Sequence, residues 1–225
     1  MWKMRGGLPH EDDKGEKMNI AIFASGRGTN FAALVRAKKR RVFKADIALL
    51  VCDQPKAGVI AKAKRAGIKV ALVKRQDFAS KEDFEKKIFQ HLEENKIDLI
   101  IMAGFMRMLS SEFIRRYKDR IINIHPALLP SFKGAHAIKD AFDYGVKATG
   151  VTVHFVDEEM DHGPIILQQA LKVEERDTLE SLEAKIHKIE HRLYPEAVRL
   201  FVEGRLKIEG RKVSIRYTYS RSPRG

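Results

Sequence analysis

Asn123 and His125 stand two positions apart in the run Asn123-Ile124-His125-Pro126. On an extended strand, residues at i and i+2 project from one face, so both side chains can act on a single substrate atom. An amide can donate to a developing oxyanion, and an imidazole can move a proton. A second apolar run, Thr149–Val156, ends in Asp157-Glu158-Glu159-Met160-Asp161-His162-Gly163-Pro164. A charge run is by default a solvated loop, but this one follows a strand and precedes a Gly-Pro turn, where the chain must reverse sharply. Open α/β sheets place their active sites at strand ends. Asp161 is therefore expected to face His125 across a cleft, although 36 positions separate them. A carboxylate beside an imidazole favours the protonated ring and is expected to raise the His125 pKa toward or above neutral. The chain has no Ser nucleophile elbow, and Cys52 has no base near it in sequence. A His, an Asn and an Asp without a nucleophile point to direct transfer between two bound substrates.

Ser25-Gly26-Arg27-Gly28-Thr29-Asn30 follows an apolar run and opens a helical stretch. Free N–H groups and the dipole at a helix start favour an anion, and Gly26 and Gly28 let the backbone approach it. A dinucleotide fingerprint would place a third glycine at position 31, where Phe31 stands, so the loop suits a single phosphate. An ordinary glycine turn is the alternative. His187-Lys188-Ile189-Glu190-His191 has the H-x-x-E-H spacing of one class of zinc proteases. Such a site takes a third protein ligand, normally from a separate later helix. The acids after His191 (Glu196, Glu203 and Glu209) fall on the same helix or in an expected hairpin, so no metal is expected. His154 lies inside a strand, out of phase with Val151, Val153 and Phe155, and reads as structural. His10, His91 and His136 have no partner that the sequence identifies.

The elements that must position these groups are legible as alternating patterns. Apolar runs at Asn19–Ala24, Asp46–Cys52, Lys69–Val73 and Asp98–Ala103 predict strands. Helical patterns around Phe31–Lys39, Ala57–Arg65 and Lys81–Asn95 separate them. This alternation predicts the α/β class: a Rossmann-like open, mainly parallel twisted sheet with helices on both faces. From Arg120 the pattern changes, with strands at Arg120–Ile124, Thr149–Val156 and Pro164–Val173 and only one helix among them, near Ala137–Tyr144. A long helix is expected over about Thr178–Glu203, kinked or broken at Pro195. A hairpin over 205–216 is expected to turn at Glu209-Gly210.

At 225 residues the chain can build a substantial core. Its single cysteine excludes an intrachain disulfide and suits a reducing, cytoplasmic setting. The longest apolar stretch, around Leu99–Met106, falls far short of the roughly 20 residues of a spanning helix, so no membrane partner is expected. Residues 1–17 lack the apolar core of a secretion signal. The net charge of +13 would point to nucleic acid if it were compact. Residues 204–225 alone carry seven Lys and Arg against Glu209, so much of the excess sits in one tail. A nucleic-acid module needs stacking aromatics among its basic residues. That tail offers Tyr217 and Tyr219 alone, and no nucleic-acid partner is expected.

With these residues together, the chain resembles the folate-dependent phosphoribosylglycinamide formyltransferases of purine synthesis, over about Met18–Lys207. The resemblance rests on Ser25–Asn30, Ala103-Gly104-Phe105-Met106-Arg107-Met108-Leu109, Asn123–Pro126, Met160–Pro164 and Glu190-His191-Arg192-Leu193-Tyr194-Pro195. It implies the formyltransferase fold and two small-molecule substrates, phosphoribosylglycinamide and the co-substrate 10-formyltetrahydrofolate. The nucleotide amine would attack the formyl carbon. Asn123 and His125 would stabilise or protonate the tetrahedral intermediate, and Asp161 would hold His125 in its useful protonation state. Gly28, Thr29 and Asn30 match the family's phosphate loop, and Glu190 matches its ribonucleotide contact. Met106, Arg107, Met108 and Leu109, with Asn123 and the segment Asp157–Asp161, match the folate surroundings. Lys81 falls where a relative carries arginine near the folate. Glu190 facing the nucleotide would account for the H-x-x-E-H match without zinc.

The resemblance divides the chain into an N-terminal extension or tag (1–17), a catalytic domain (18–207) and a basic C-terminal tail (208–225). Formyltetrahydrofolate deformylases share the catalytic core but carry an added N-terminal domain, whereas 17 largely polar residues precede the first strand here. Methionyl-tRNA formyltransferases need a further C-terminal domain. The oligomeric state is not fixed by the sequence, which is compatible with a homodimer.

Overall fold

A computed structural model of the chain describes residues 8–9 and 18–216; the rest of the expected N-terminal extension and residues 217–225 of the expected tail lie outside the described residues. β1 (Met18–Phe23), β2 (Ala45–Cys52), β3 (Lys69–Leu72), β4 (Leu99–Met102) and β5 (Ile121–His125) pair in parallel. α1 (Thr29–Lys39), α2 (Gly58–Arg65), α3 (Lys81–Glu94) and α4 (Ser111–Arg116) make the crossovers. β5 then pairs antiparallel with β6 (Ala148–Phe155), after α5 (Ala137–Tyr144). β6 pairs antiparallel with β7 (Ile165–Lys172). After α6 (Leu179–Val202), the hairpin of β8 (Leu206–Glu209) and β9 (Lys212–Ile215) completes one sheet in the order β3-β2-β1-β4-β5-β6-β7-β9-β8.

β1 lies at the centre of the parallel part because its four buried residues serve both faces. Ile20 and Ile22 pack with Phe31 and Leu34 of α1 and with the buried stripe of α6. Ala21 and Phe23 pack on the other side with Phe84 and Ile88 of α3 and Phe113 of α4. Residues of alternate parity thus fill two apolar layers, as the period of a strand requires. Burying a Phe or Leu side chain completely stabilises by roughly 1.5–3 kcal/mol. After β3 the chain returns to the other side of β1 to place β4. The carboxyl ends of β1 and β4 consequently flank the crevice where such sheets bind ligands.

One expectation is corrected: α6 is not broken at Pro195. α6 runs without interruption through Pro195, which is buried with Tyr194, Ala197 and Val198. The proline removes one backbone donor, and tertiary packing of that face outweighs the loss. The helix start is secured by Thr178, whose side chain accepts from Ser181 N in a capping box. The sheet is mainly parallel, as expected; β6 pairs antiparallel with β5, and β7 with β6, so the cleft joins two kinds of pairing. The expected hairpin forms, and residues 208–216 of the expected tail therefore include part of β8 and all of β9. α4 was not expected: six residues are too few for a periodic pattern, and its signal is local. Ser110 caps it by accepting from Phe113 N, while the buried Glu85 carboxylate accepts from Ser110 N at 2.7 Å.

Candidate active site

A cleft of about 480 Å³ opens at the carboxyl ends of β1, β4 and β5. Gly26, Arg27, Gly28, Thr29 and Asn30 line it at the start of α1. Gly28 is the N-cap of that helix, with φ of 71°. A side chain there would be strained by the left-handed backbone, and its Cβ would stand 2.6 Å from Val59 Cγ2. A cap without a side chain leaves the first-turn N–H groups of α1 available to an anion.

Asn123 and His125 occupy the end of β5, and antiparallel register brings β6 against them: Asn123 pairs with His154, and His125 with Thr152. Asp161 sits in the β6–β7 connection with φ of 49°, a left-handed conformation that Asp tolerates better than most residues. That connection closes tightly, since Phe155 N donates to Pro164 O at 2.9 Å. A Cβ on Gly163 would fall 1.9 Å from Phe155 O, so only glycine fits beside Asp161 and His162.

Asp161 is the hub of the polar groups. Its Oδ2 accepts from Gly134 N at 2.8 Å and faces His125 Nδ1 at 3.3 Å. Its Oδ1 accepts from Asn123 Nδ2 at 3.4 Å. Burial alone would raise the Asp161 pKa, but the hydrogen bond from Gly134 N and the nearby His125 outweigh it, and the group stays ionised. The expectation for His125 is corrected. Its ring is 3% exposed, and burial pulls its pKa below the ordinary histidine value, with Asp161 offsetting only part of that. The neutral ring carries its proton on Nε2, which donates to Phe132 O at 2.7 Å. Nδ1, facing the carboxylate, is where a second proton would be welcomed.

His154, read from sequence as structural, lines the cleft beside Asn123, a placement that reading did not anticipate. It is 2% exposed. Its Nδ1 donates to Phe155 O at 2.7 Å, which leaves Nε2 to accept from Asn123 Nδ2 at 3.2 Å. One Asn123 hydrogen is thereby fixed on His154. The other makes only the longer contact to Asp161, so an oxygen gaining negative charge in the cleft can compete for it. Thr152 steadies the segment after His125: its hydroxyl donates to Ala127 O at 2.7 Å and accepts from Leu129 N at 3.1 Å.

At the α1 end of the cleft, Glu190 of α6 is 4% exposed and accepts from Asn30 Nδ2 at 3.1 Å. His187 Nδ1 lies 2.8 Å from the same carboxylate oxygen, which raises the His187 pKa despite burial. The H-x-x-E-H spacing is thus an imidazole–carboxylate pair beside the glycine loop at the start of α1. Among the described residues, no group of three or more His, Cys, Asp or Glu is arranged to hold a metal ion.

The opposite wall is formed by Met106, Arg107, Met108 and Leu109 after β4, facing Asp157–Asp161. Met106 and Met108 are exposed, giving the mouth an apolar lip. Asp157 Oδ2 lies 2.7 Å from His162 Nδ1, and Arg211, between β8 and β9, donates to His162 O at 2.6 Å. The C-terminal hairpin thus buttresses this loop. Lys81, at the start of α3, does not line the cleft.

A sequence model of the formyl transferase family matches residues 18–198. The chain belongs to the formyl transferase family. It is 45% identical over 180 residues to the phosphoribosylglycinamide formyltransferase of Bacillus subtilis, covering 80% of this chain and 92% of that one. Glycinamide ribonucleotide transformylase 1 from Symbiobacterium toebii matches with a TM-score of 0.87 and 40% identity, over 90% of this chain and 95% of its own. A formyltetrahydrofolate deformylase from Pseudomonas syringae shares the fold at a TM-score of 0.83. Its identity falls to 26%, over 89% of this chain and 66% of that one. In this formyl transferase, the sequence signal that would have exposed His154 is its place opposite Asn123, which required knowing that β6 runs antiparallel to β5.

Proposed function

We infer that this formyl transferase moves the formyl group of 10-formyltetrahydrofolate to the amine of phosphoribosylglycinamide, a step of purine synthesis. The observation that carries this is the near-full-length likeness to a phosphoribosylglycinamide formyltransferase, far stronger in identity than the likeness to a deformylase. The cleft supports the reading at both ends. Phosphate would sit at Gly28, Thr29 and Asn30, with the ribonucleotide beside Glu190. The folate would lie between Met106–Leu109 and Asp157–Asp161, with Asn123 at the reacting centre. Lys81 would meet only the outer part of the folate, beyond the cleft lining. With this activity goes a cytoplasmic location, in keeping with a free, buried Cys52.

In the reaction, the nucleotide amine forms a bond to the formyl carbon, and the carbonyl electron pair moves onto oxygen. Asn123 donates to that oxygen. Collapse restores the C=O bond and breaks the bond to the folate N10. The amine loses one proton and N10 gains one, so the protons balance. His125 carries that proton. Being neutral, the imidazole can accept it, and Asp161 stabilises the imidazolium until it is passed on. A spectroscopic assay of 10-formyltetrahydrofolate with and without phosphoribosylglycinamide tests the reading. Formyl loss only in the presence of the nucleotide is expected; equal loss without it overturns transfer in favour of hydrolysis.

A further inference from the structure

The two walls of the cleft are joined behind the surface that a substrate would touch. Asp53, after β2, is 4% exposed, and neither it nor Ser25 lines the cleft. One oxygen, Oδ1, accepts from Ser25 Oγ at 2.6 Å. The other, Oδ2, accepts from Arg107 Nε at 2.6 Å and from Gln54 Nε2 at 3.3 Å. Ser25 Oγ in turn accepts from Met106 N at 3.2 Å, and Ser25 N donates to Gly104 O at 2.9 Å. The result is a closed ring of hydrogen bonds. It contains the first residue of the loop opening α1 and the backbone and side chain of the loop after β4.

We propose that Asp53 is a positioning residue that sets both substrate loops at once, through Ser25 on the nucleotide side and Arg107 on the folate side. This rests on the assignment of those loops to the two substrates. The physical argument is one of geometry and charge. A buried carboxylate with donors on both oxygens holds each donor in one place, and such charge-assisted bonds are the strong ones. The Arg107 guanidinium is part-buried against it, with its carbon also 5.9 Å from the Phe84 ring centroid. Without the carboxylate, neither Ser25 Oγ nor Arg107 has its anchor, and each loop gains conformations that do not bind. When only a fraction of molecules is competent, apparent affinity falls by that fraction. The loss therefore falls on both substrates together, while the Asn123, His125 and Asp161 groups that act on the formyl carbon keep their places.

The test is Asp53→Asn, which removes the charge and leaves a single acceptor oxygen, so Ser25 Oγ and Arg107 no longer each have a carboxylate oxygen to donate to. Losing a hydrogen bond to a charged group is expected to raise KM about tenfold for each substrate, with kcat within about threefold. Ser25→Ala is expected to raise both KM values less. The double variant is expected to be no worse than Asp53→Asn, since the two residues act through one ring. A rise in one KM only, a fall in kcat with both KM values kept, or additive losses in the double variant would overturn the proposal. Amide hydrogen exchange of the ligand-free proteins supplies a readout that needs no turnover. Asp53→Asn is expected to speed exchange in both Ser25–Asn30 and Gly104–Leu109; faster exchange in one alone overturns the ring. An inactive wild-type chain would refute the substrate assignment, and the exchange result would still decide the role of Asp53.

Discussion

The five parallel strands and the antiparallel strands beside them contribute differently to the cleft. The parallel part lines it with the glycine-capped start of α1 and the loop after β4, both at carboxyl ends of strands. The antiparallel part provides side chains set by register. Pairing of β5 with β6 puts His154 opposite Asn123, and the tight β6–β7 connection delivers Asp161 to His125. On the proposed assignment of the site, recognition of substrates draws on the parallel half, and adjustment of the reacting groups on the antiparallel half. β5 belongs to both, with parallel β4 on one side and antiparallel β6 on the other.

If that division holds, substitutions on the two sides should separate in kinetics. The largest effect is expected at the boundary strand. His125→Ala removes the proposed proton carrier and should lower kcat by about 10²–10⁴-fold, measured at saturating concentrations of both substrates. Gly28→Val, on the parallel side, forces a β-branched residue into a left-handed conformation against Val59, a strain of roughly 1–2 kcal/mol before any clash. The nucleotide KM should rise at least about tenfold, while folate affinity, read by titration, changes little. His154→Leu, on the antiparallel side, leaves Asn123 without its acceptor and should reduce kcat by roughly tenfold. His154→Gln, which can still accept, should recover part of that. A His154→Leu variant that altered nucleotide KM instead of kcat would dissolve the comparison. The smallest kinetic effect is expected from Tyr194→Phe. The hydroxyl lies 2.8 Å from Met102 O and 2.9 Å from Ile122 O, tying α6 to the ends of β4 and β5. Its loss should cost about 1–3 kcal/mol in denaturant unfolding with kcat nearly unchanged.

The same division governs what the sequence revealed. The strands and helices of the parallel half follow from alternating buried runs and helical patterns, each matching its element to within a residue or two. Local rules also placed the glycine loop at the start of α1. The capping turn of α4 was too short to announce itself. In the antiparallel half, periodicity assigned faces but not partners. His154 is out of phase with its apolar neighbours, and its meaning depends on a register that pairs residues 31 positions apart. Pro195 was overvalued as a breaker because its backbone cost is local, while the burial that outweighs it is tertiary. The sign of the His125 shift went wrong for a related reason: sequence suggested the carboxylate partner, whereas burial to 3% exposure depends on the whole fold.

The pairing of Asp161 with His125 joins the two halves, and the pH dependence of kcat in wild type and Asp161→Asn tests it most directly. Burial lowers the His125 pKa, so the acid limb of the wild-type profile should lie below the ordinary histidine value of about 6.5. Asp161 opposes that lowering. Removing its charge while keeping its shape should move the limb to still lower pH and reduce kcat by about 10²–10⁴-fold, with smaller changes in either KM. A folded Asp161→Asn variant with near-normal kcat and an unmoved acid limb would contradict the account.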